Sequence, residues 1–550
     1  MNHRDAGSGK REAGSVMAED LVTLTIDDLP ISVPKGTLVI EAAKEAGVLV
    51  PHYCYHPGLA VAGVCRMCLV EIEKTPKLQV ACATPVADGM VVHTQSRQAK
   101  DGRKGVLELL LINHPLDCPI CDQAGECELQ DFTFQEGRPS TRYSPDYAKR
   151  FNPVEDFGPD VLYVPNRCIL CTRCVRFMED VAQEPVLNVS ERGDRAYIGI
   201  DPEARLDHPW AGNVVDLCPV GSLLSKDFLH KARAWELDKT ASICTGCSQG
   251  CNVTLDTRDE VVVRVRPRTN LAVNRYFLCD HGRMNYRWMN RGRRIEAPLL
   301  RQRDGAPRAV DWDEALGRAA ALLRGASGAA VALVSPRAST EALFLARELL
   351  AGFAWSGAFQ VVMGDEAPLA GVPNLALRAE RAPNARGAEL LGYGRDYGAA
   401  LAAAAAAAVV LVLDDPEVTL PQKPAGSLIY LGTVLPEDAT DGDGGGGGGG
   451  GPLRRADVVL PIANVAEEEG TFVNRDGRVQ RYLQAKPAPG MAQPAWWVLG
   501  ELAALLGVAR GDGVGAPASA AAAFDRLAAT VPAFAGLSYA QLGLGGAQLP

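Results

Sequence analysis

From residue 282 to residue 550 the sequence has no cysteine and no histidine. That excludes thiolate or imidazole metal chemistry from the second half of the chain and crowds all fifteen cysteines between Cys54 and Cys279. A basic excess is missing too. The formal charge is −10, so a nucleic-acid binder, which usually presents a basic surface, is not expected. No apolar run reaches the roughly 20 residues that span a bilayer. The longest, "GAALAAAAAAAVVLVL" (398–413), is mostly alanine and is closed by Asp414 and Asp415. The opening "MNHRDAGSGKREAGSVMAED" carries charge but no apolar core, so 1–18 reads as a disordered tail, with Met17 a candidate start. Membrane contact is therefore expected only through partners. Cysteines in such number without a secretion signal argue against disulfides.

What is present falls into segments. In 19–97, "LVTLTIDD" and "LPISV" read as a hairpin, "KGTLVIEAAKEAG" as a short helix with Thr37 as N-cap and Gly47 at its end, and "CLVEIE" and "MVVHT" as strands. This suits a small α+β domain. "RQAKDGRKGVLELLLINH" (97–114) looks helical and opens a segment 98–138; cysteine-bearing segments 139–236 and 237–293 follow. From 294 to 550 the texture becomes Ala-, Leu- and Gly-rich. The runs "AAVALVS", "AAVVLVLDD", "SLIYLG" and "ADVVLP", with the helical "STEALFLARELLAG" between them, point to a parallel α/β sheet carrying a Gly-rich insert at 442–451. That insert satisfies G-x-G-x-x-G trivially, with no strand leading in and no helix leading out, so it is not a nucleotide loop.

The cysteines sort into four sets without remainder. Cys54, Cys65, Cys68 and Cys82 read C-x10-C-x2-C-x13-C. Cys118, Cys121 and Cys127 are spaced x2 and x5; Cys168, Cys171, Cys174 and Cys218 read C-x2-C-x2-C-x43-C-P; Cys244, Cys247, Cys251 and Cys279 read C-x2-C-x3-C-x27-C. Only the second set lacks a fourth ligand, and His114 stands four residues before Cys118. An imidazole can replace a thiolate on iron. The bland reading is a histidine at a helix C-terminus, favourable against the dipole. Triplets with one remote partner suit cubane [4Fe–4S] clusters, and the wide first set suits a [2Fe–2S] centre; zinc sites are the competing reading. Arg167, Arg173 and Arg176 flank the third triplet, either as counter-charges to an anionic cluster or as ordinary surface arginines.

In that order, with the mixed histidine–cysteine set embedded in it, the motifs resemble the G-subunit family of bacterial NADH:quinone oxidoreductase, respiratory complex I. "ADVVLPIANVAEEEGTFVNRDGRVQ" (456–480) is similar to the closing motif of the molybdopterin oxidoreductase superfamily. The resemblance covers roughly 20–500. It implies a multidomain α+β and α/β fold: a β-grasp ferredoxin-like [2Fe–2S] domain, small [4Fe–4S] domains, and a degenerate, shortened molybdopterin oxidoreductase-like domain over 294–550. It implies one [2Fe–2S] and three [4Fe–4S] clusters on the sixteen ligands above, and no catalytic residue of the chain's own. Electrons would come from a partner subunit holding NADH and FMN, among other peripheral-arm subunits, and go toward quinone. The complex would lie peripherally on the cytoplasmic side of the plasma membrane. The cluster on 244–279 would lie off the main route.

Three alternatives stay open: the electron-input subunit of an NAD-linked formate dehydrogenase or hydrogenase, a diaphorase module, and a zinc-stapled scaffold. A catalytic molybdenum enzyme lacks its parts, since its metal usually takes a cysteine or selenocysteine with a neighbouring histidine and 282–550 offers neither. Replacing a thiolate by neutral His114 makes the second centre less negative. His114→Cys is therefore expected to lower that centre's midpoint potential in a redox titration, and a constant or higher midpoint would contradict the assignment.

Overall fold

The computed structural model describes residues 21–144, 149, 151–303, 305–414, 424–434, 456–508 and 515–550. The tail 1–18 and the Gly-rich insert 442–451 lie outside the described residues. The chain divides into two compact units, one of residues 1–206 and 217–226 and the other of 207–216 and 227–550. The fold is a multidomain combination of α+β and α/β parts.

The first unit opens with β1 (Leu21–Ile26) and β2 (Leu29–Pro34), followed by α1 (Val39–Glu45), β3 (Leu69–Ile72), β4 (Gln79–Val80) and β5 (Val91–His93). The sheet order is β2-β1-β5-β3-β4, with β1 and β5 parallel and the other pairs antiparallel. Asp27 and Asp28 both take positive φ, which gives the hairpin the turn twist its strands need. Alternation along β1 buries Leu24 and Ile26 against Val39, Ile40 and Ala43 of α1. Thr37 is not the helix cap. Its hydroxyl donates to Pro34 O at 2.7 Å in the turn that leaves β2, and the helix starts one residue later than that cap would require. Gly47 follows the helix at φ +75°, in the left-handed conformation that suits glycine.

Next come α2 (Arg97–Asn113), capped by Ser96, and α3 (Glu128–Glu136). Arg103, fully buried on α2, donates to Glu136 on α3 at 3.0 Å and to the carbonyls of Leu69 and Thr94, so it ties both helices to the sheet. Beyond them lie a three-stranded sheet of Leu223–Ser225, Val161–Tyr163 and Glu155–Asp156 and a hairpin of Leu187–Ser190 with Tyr197–Ile200.

The second unit begins with an antiparallel sheet of Asp238–Ile243, Asn252–Arg258 and Val261–Pro267. Its larger sheet has seven strands, in the order Pro307–Ala309, Leu299–Arg301, Val458–Pro461, Ser427–Gly432, Val409–Leu413, Ala329–Val334 and Ala354–Phe359. The last five run parallel and the first two form an antiparallel edge hairpin. All four apolar runs singled out in the sequence are strands of this sheet. The alanine tract splits into the helix Tyr397–Ala404 and the strand Val409–Leu413, which sit in one core. Helices Trp312–Gly325, Thr340–Leu350 and Ala495–Leu506 join another core that also takes in Val334, Leu411 and Leu460.

Several carboxylates are buried in this unit, among them Glu341 and Glu468. Glu341 accepts from Thr471 N (2.9 Å), Thr471 Oγ1 (3.0 Å) and Tyr539 OH (2.8 Å); Glu468 accepts from Tyr482 OH (2.9 Å) and Ala495 N (3.2 Å). Burial raises Glu341 to about 7 and Glu468 to about 8, the latter also repelled by Glu341. Both bind their proton more tightly folded than unfolded. Their stabilisation is therefore complete below the ordinary value of 4.5 and is lost as pH rises through about 7 to 8. Thermal melts between pH 5 and 9 are expected to show falling stability, on the order of a few kcal/mol across the range, and Glu468→Gln is expected to flatten the upper part of the curve.

Candidate metal centres

The first set sits where the long loop between α1 and β3 meets the end of β4. Cys54, Cys68 and Cys82 are buried and Cys65 is half-buried. Cys54 N donates to Cys65 Sγ at 3.4 Å. Hydrogen bonds from Cys65 and Cys82 pull the Cys54 thiol down, while Cys65 is pushed up by Cys54. Cys68 is lowered by its bond with Cys82. The four sulfurs thus form one contact chain inside a small domain, held by bonds from Ile40 N to Ala81 O and from Ala81 N to Cys68 O.

The second set lies around the C-terminus of α2. His114 is that helix's C-cap residue, and its Nδ1 is buried without a hydrogen-bond partner. Burial, then Lys149 and Arg167, lower its pKa to about 4. A neutral imidazole with an unsatisfied ring nitrogen suits a ligand and does not suit the dipole-stabilising cation of the bland reading. Cys121 and Cys127 are buried, the latter as N-cap of α3, and Cys118 is exposed between exposed Leu116 and Ile120. Gly221 presses on this set. A Cβ there would come within 2.2 Å of Cys121 Sγ, so only glycine fits.

The third set has the clearest geometry. Cys168, Cys171, Cys174 and Cys218 line one cavity of about 320 Å³, walled by Tyr163, Ile198 and Leu223 among others. The triplet wraps around it because Leu170 and Thr172 both take positive φ, which is costly for a branched residue such as threonine. Burial raises all four thiols, Cys168 to about 11 and Cys171 to about 12. A cationic centre would offset that desolvation. Arg167, Arg173 and Arg176 are 8%, 4% and 9% exposed, so the surface-arginine reading fails.

The fourth set belongs to the second unit. Cys244, Cys247, Cys251 and Cys279 are all buried, and burial raises each of them, Cys244 to about 12. A Cβ on Gly282 would lie 2.9 Å from Cys244 Sγ and 3.4 Å from Cys279 Sγ, which places both sulfurs over one glycine. The loop 244–251 is held from outside by residues that spacing could not flag. Gln480 Nε2 donates to Gly250 O (2.8 Å), Asn474 Nδ2 to Gln249 O (3.2 Å), and Arg378 Nε to Gln249 Oε1 (2.7 Å).

Among the described residues no three His, Cys, Asp or Glu side chains converge tightly enough for a single ion. A centre of several irons spaces its ligands more widely. A further cleft of about 830 Å³ lies at the C-terminal ends of the parallel strands, with Arg291, Arg294, Arg337 and Arg381 in its lining. The lining includes no cysteine or histidine, so the usual ligands of molybdenum or tungsten are missing and the residues do not fit that metal.

Family models match five stretches: a 2Fe-2S iron–sulfur cluster binding domain (19–97), the NADH-ubiquinone oxidoreductase-G iron–sulfur binding region (103–142), the ferredoxin-like domain of NADH-quinone oxidoreductase subunit 3 (158–224), the molybdopterin oxidoreductase Fe4S4 domain (237–291) and molybdopterin oxidoreductase (451–505). The chain is therefore an iron–sulfur protein with one 2Fe-2S region and several 4Fe-4S regions. Over its matched residues it is similar to the iron–sulfur G-type subunits of NADH-quinone oxidoreductase. It is 42% identical over 331 residues to the NADH-quinone oxidoreductase G-type subunit of Rickettsia bellii, covering 60% of this chain and 48% of that protein. To the mitochondrial NADH-ubiquinone oxidoreductase 78 kDa subunit of Candida albicans it is 46% identical, covering 54% and 41%. To the mitochondrial NADH dehydrogenase [ubiquinone] iron-sulfur protein 1 of Solanum tuberosum it is 45% identical, covering 54% and 40%. The matches span less than half of each relative.

Cys171→Ala removes one wall sulfur from the 320 Å³ cavity. Iron analysis is expected to show about four fewer irons per chain, with reduced stability of the first unit, because small metal-centred domains draw folding energy from their metal.

Proposed function

We propose that this chain relays single electrons within an NADH:quinone oxidoreductase, taking them from a partner subunit that holds NADH and FMN and passing them toward quinone. One [2Fe–2S] cluster on Cys54, Cys65, Cys68 and Cys82 and three [4Fe–4S] clusters on the remaining twelve ligands supply one-electron exchange when bound. The domains follow the segments 19–97, 98–138, 139–236, 237–293 and 294–550. The observation that carries the reading most is the third set, in which four cysteines, one of them remote in sequence, line one buried cavity.

The chain's own residues exclude water, place the sulfurs and donate to them. Leu170 N reaches Cys168 Sγ (3.4 Å), Gly246 N reaches Cys244 Sγ (3.4 Å) and Gly282 N reaches Cys279 Sγ (3.3 Å). Such bonds stabilise negative charge on sulfur and so favour the reduced state. No helix among the described residues is long and apolar enough to cross a membrane. The proposed placement is peripheral, on the cytoplasmic side, with membrane contact through other subunits.

Anaerobically prepared protein is expected to hold about 14 irons with matching labile sulfide, and low-temperature EPR to resolve a [2Fe–2S] signal beside [4Fe–4S] signals. Stoichiometric zinc with no iron would replace the relay by a scaffold.

A further inference from the structure

Each arginine beside the third triplet reaches at least one further ligand loop. Arg167 Nε donates to Asp117, between His114 and Cys118, at 2.9 Å. Arg173 pairs with Glu128, the neighbour of Cys127, at 3.0 Å, and also donates to Tyr55 O (2.8 Å) and Leu217 O (3.2 Å), beside Cys54 and Cys218. Arg176 is of another kind. Its Nη2 donates to Cys54 O at 2.6 Å and to Cys171 O at 3.2 Å, its Nη1 to Ala60 O, and its Nε to Thr172 Oγ1 at 3.3 Å. One nitrogen thus holds the backbone of a first-set ligand and of a third-set ligand at once. Every one of these acceptors is neutral. Arg167 and Arg173 each have a carboxylate in ion-pair contact, whereas among the described residues Arg176 is in no ion pair and Asp180 acts on it only at longer range.

We propose that Arg176 is a positioning residue for electron exchange between the first and third sets, fixing the spacing of their ligand loops and raising both potentials with a charge no ion pair offsets. The proposal rests on the relay reading above. The forked guanidinium can hold two carbonyls at fixed angles, which a lysine ammonium cannot reproduce. In a buried site its charge is poorly screened. A thiolate-ligated centre gains negative charge on reduction, so a cation one carbonyl away from a ligand of each set favours the reduced form of both. The second and fourth sets have no contact with this guanidinium among the bonds it makes and serve as internal controls.

The test is a redox titration followed by EPR on the full chain assembled with its iron, comparing Arg176→Met and Arg176→Lys with the parent protein. Arg176→Met is expected to lower the first- and third-set midpoints together, on the order of tenfold in each one-electron equilibrium, or about 59 mV, and to leave the other two in place. Arg176→Lys restores charge without the fork, so both midpoints should return toward the parent values while thermal stability stays low. Unmoved midpoints in an iron-replete Met variant would overturn the proposal, as would a Lys variant that falls as far as Met or a shift common to all four centres. If the Met protein loses iron from those two sets, restoration by Lys supports the charge role and failure to restore overturns it. Absence of iron–sulfur signals from the parent protein would sink the relay reading itself, a different failure from unmoved midpoints.

Discussion

Buried guanidinium is the constraint on which the first unit turns. Removing a charge from water costs several kcal/mol unless hydrogen bonds and opposite charge replace the lost solvent. Here Arg103, Arg167, Arg173 and Arg176 are all buried, and their partners come from segments that share no secondary structure. Ligand loops explain the need. A loop that must wrap a metal centre cannot also be a long helix or a strand ladder, so its backbone carbonyls lack regular partners. Unsatisfied buried carbonyls are costly, and a five-donor side chain satisfies several at once. The carbonyls of Cys54, Tyr55, Ala60, Cys171 and Leu217 are all served by two arginines.

The second unit meets the same requirement largely with amides. Among the described residues no arginine side chain donates to the backbone of the loop 244–251, though Arg378 reaches the Gln249 side chain. Gln249, Asn474 and Gln480 close it instead, and Asn252 joins them by a 2.5 Å bond to Gln480. Neutral amides avoid the desolvation cost of a charge while still offering donors and acceptors on one rigid plane. Close approach is part of the device: a Cβ on Gly250 would meet Asn474 Cβ and Gln480 Nε2 at 2.8 Å, so the loop packs against the hairpin Gly470–Tyr482 with no room for a side chain.

Local signals in the sequence were legible and long-range ones were not. The four apolar runs of the larger sheet could be read because buried parallel strands are nearly uniform in hydrophobicity. The cysteine sets could be grouped because most of their members lie within a few residues of one another, and His114 could be nominated by counting. The fate of Arg173 and Arg176 could not be read. Their partners stand 118 and 122 residues away, and nothing in "NRCILCTRCVRF" distinguishes a solvated arginine from one buried beneath a distant loop. Thr37 failed for the opposite reason. A tight turn two residues before the helix competed for the same hydroxyl, a local alternative that threonine takes readily.

The motif "GTFVNRDGRVQ" shows how a segment can carry a structural task apart from any chemistry. Asn474 Oδ1 accepts from Asp476 N and Arg478 N, closing the hairpin turn, while its amide nitrogen reaches the fourth-set loop. Thr471, on the same hairpin, satisfies the buried Glu341, which Tyr539 also holds from near the C-terminus. One hairpin therefore contacts both the loop around Cys247 and Cys251 and a buried acid in the α/β core. These contacts suffice to keep asparagine, glutamine and threonine at their places in the hairpin, whether or not the arginine-lined cleft above the parallel strands binds anything.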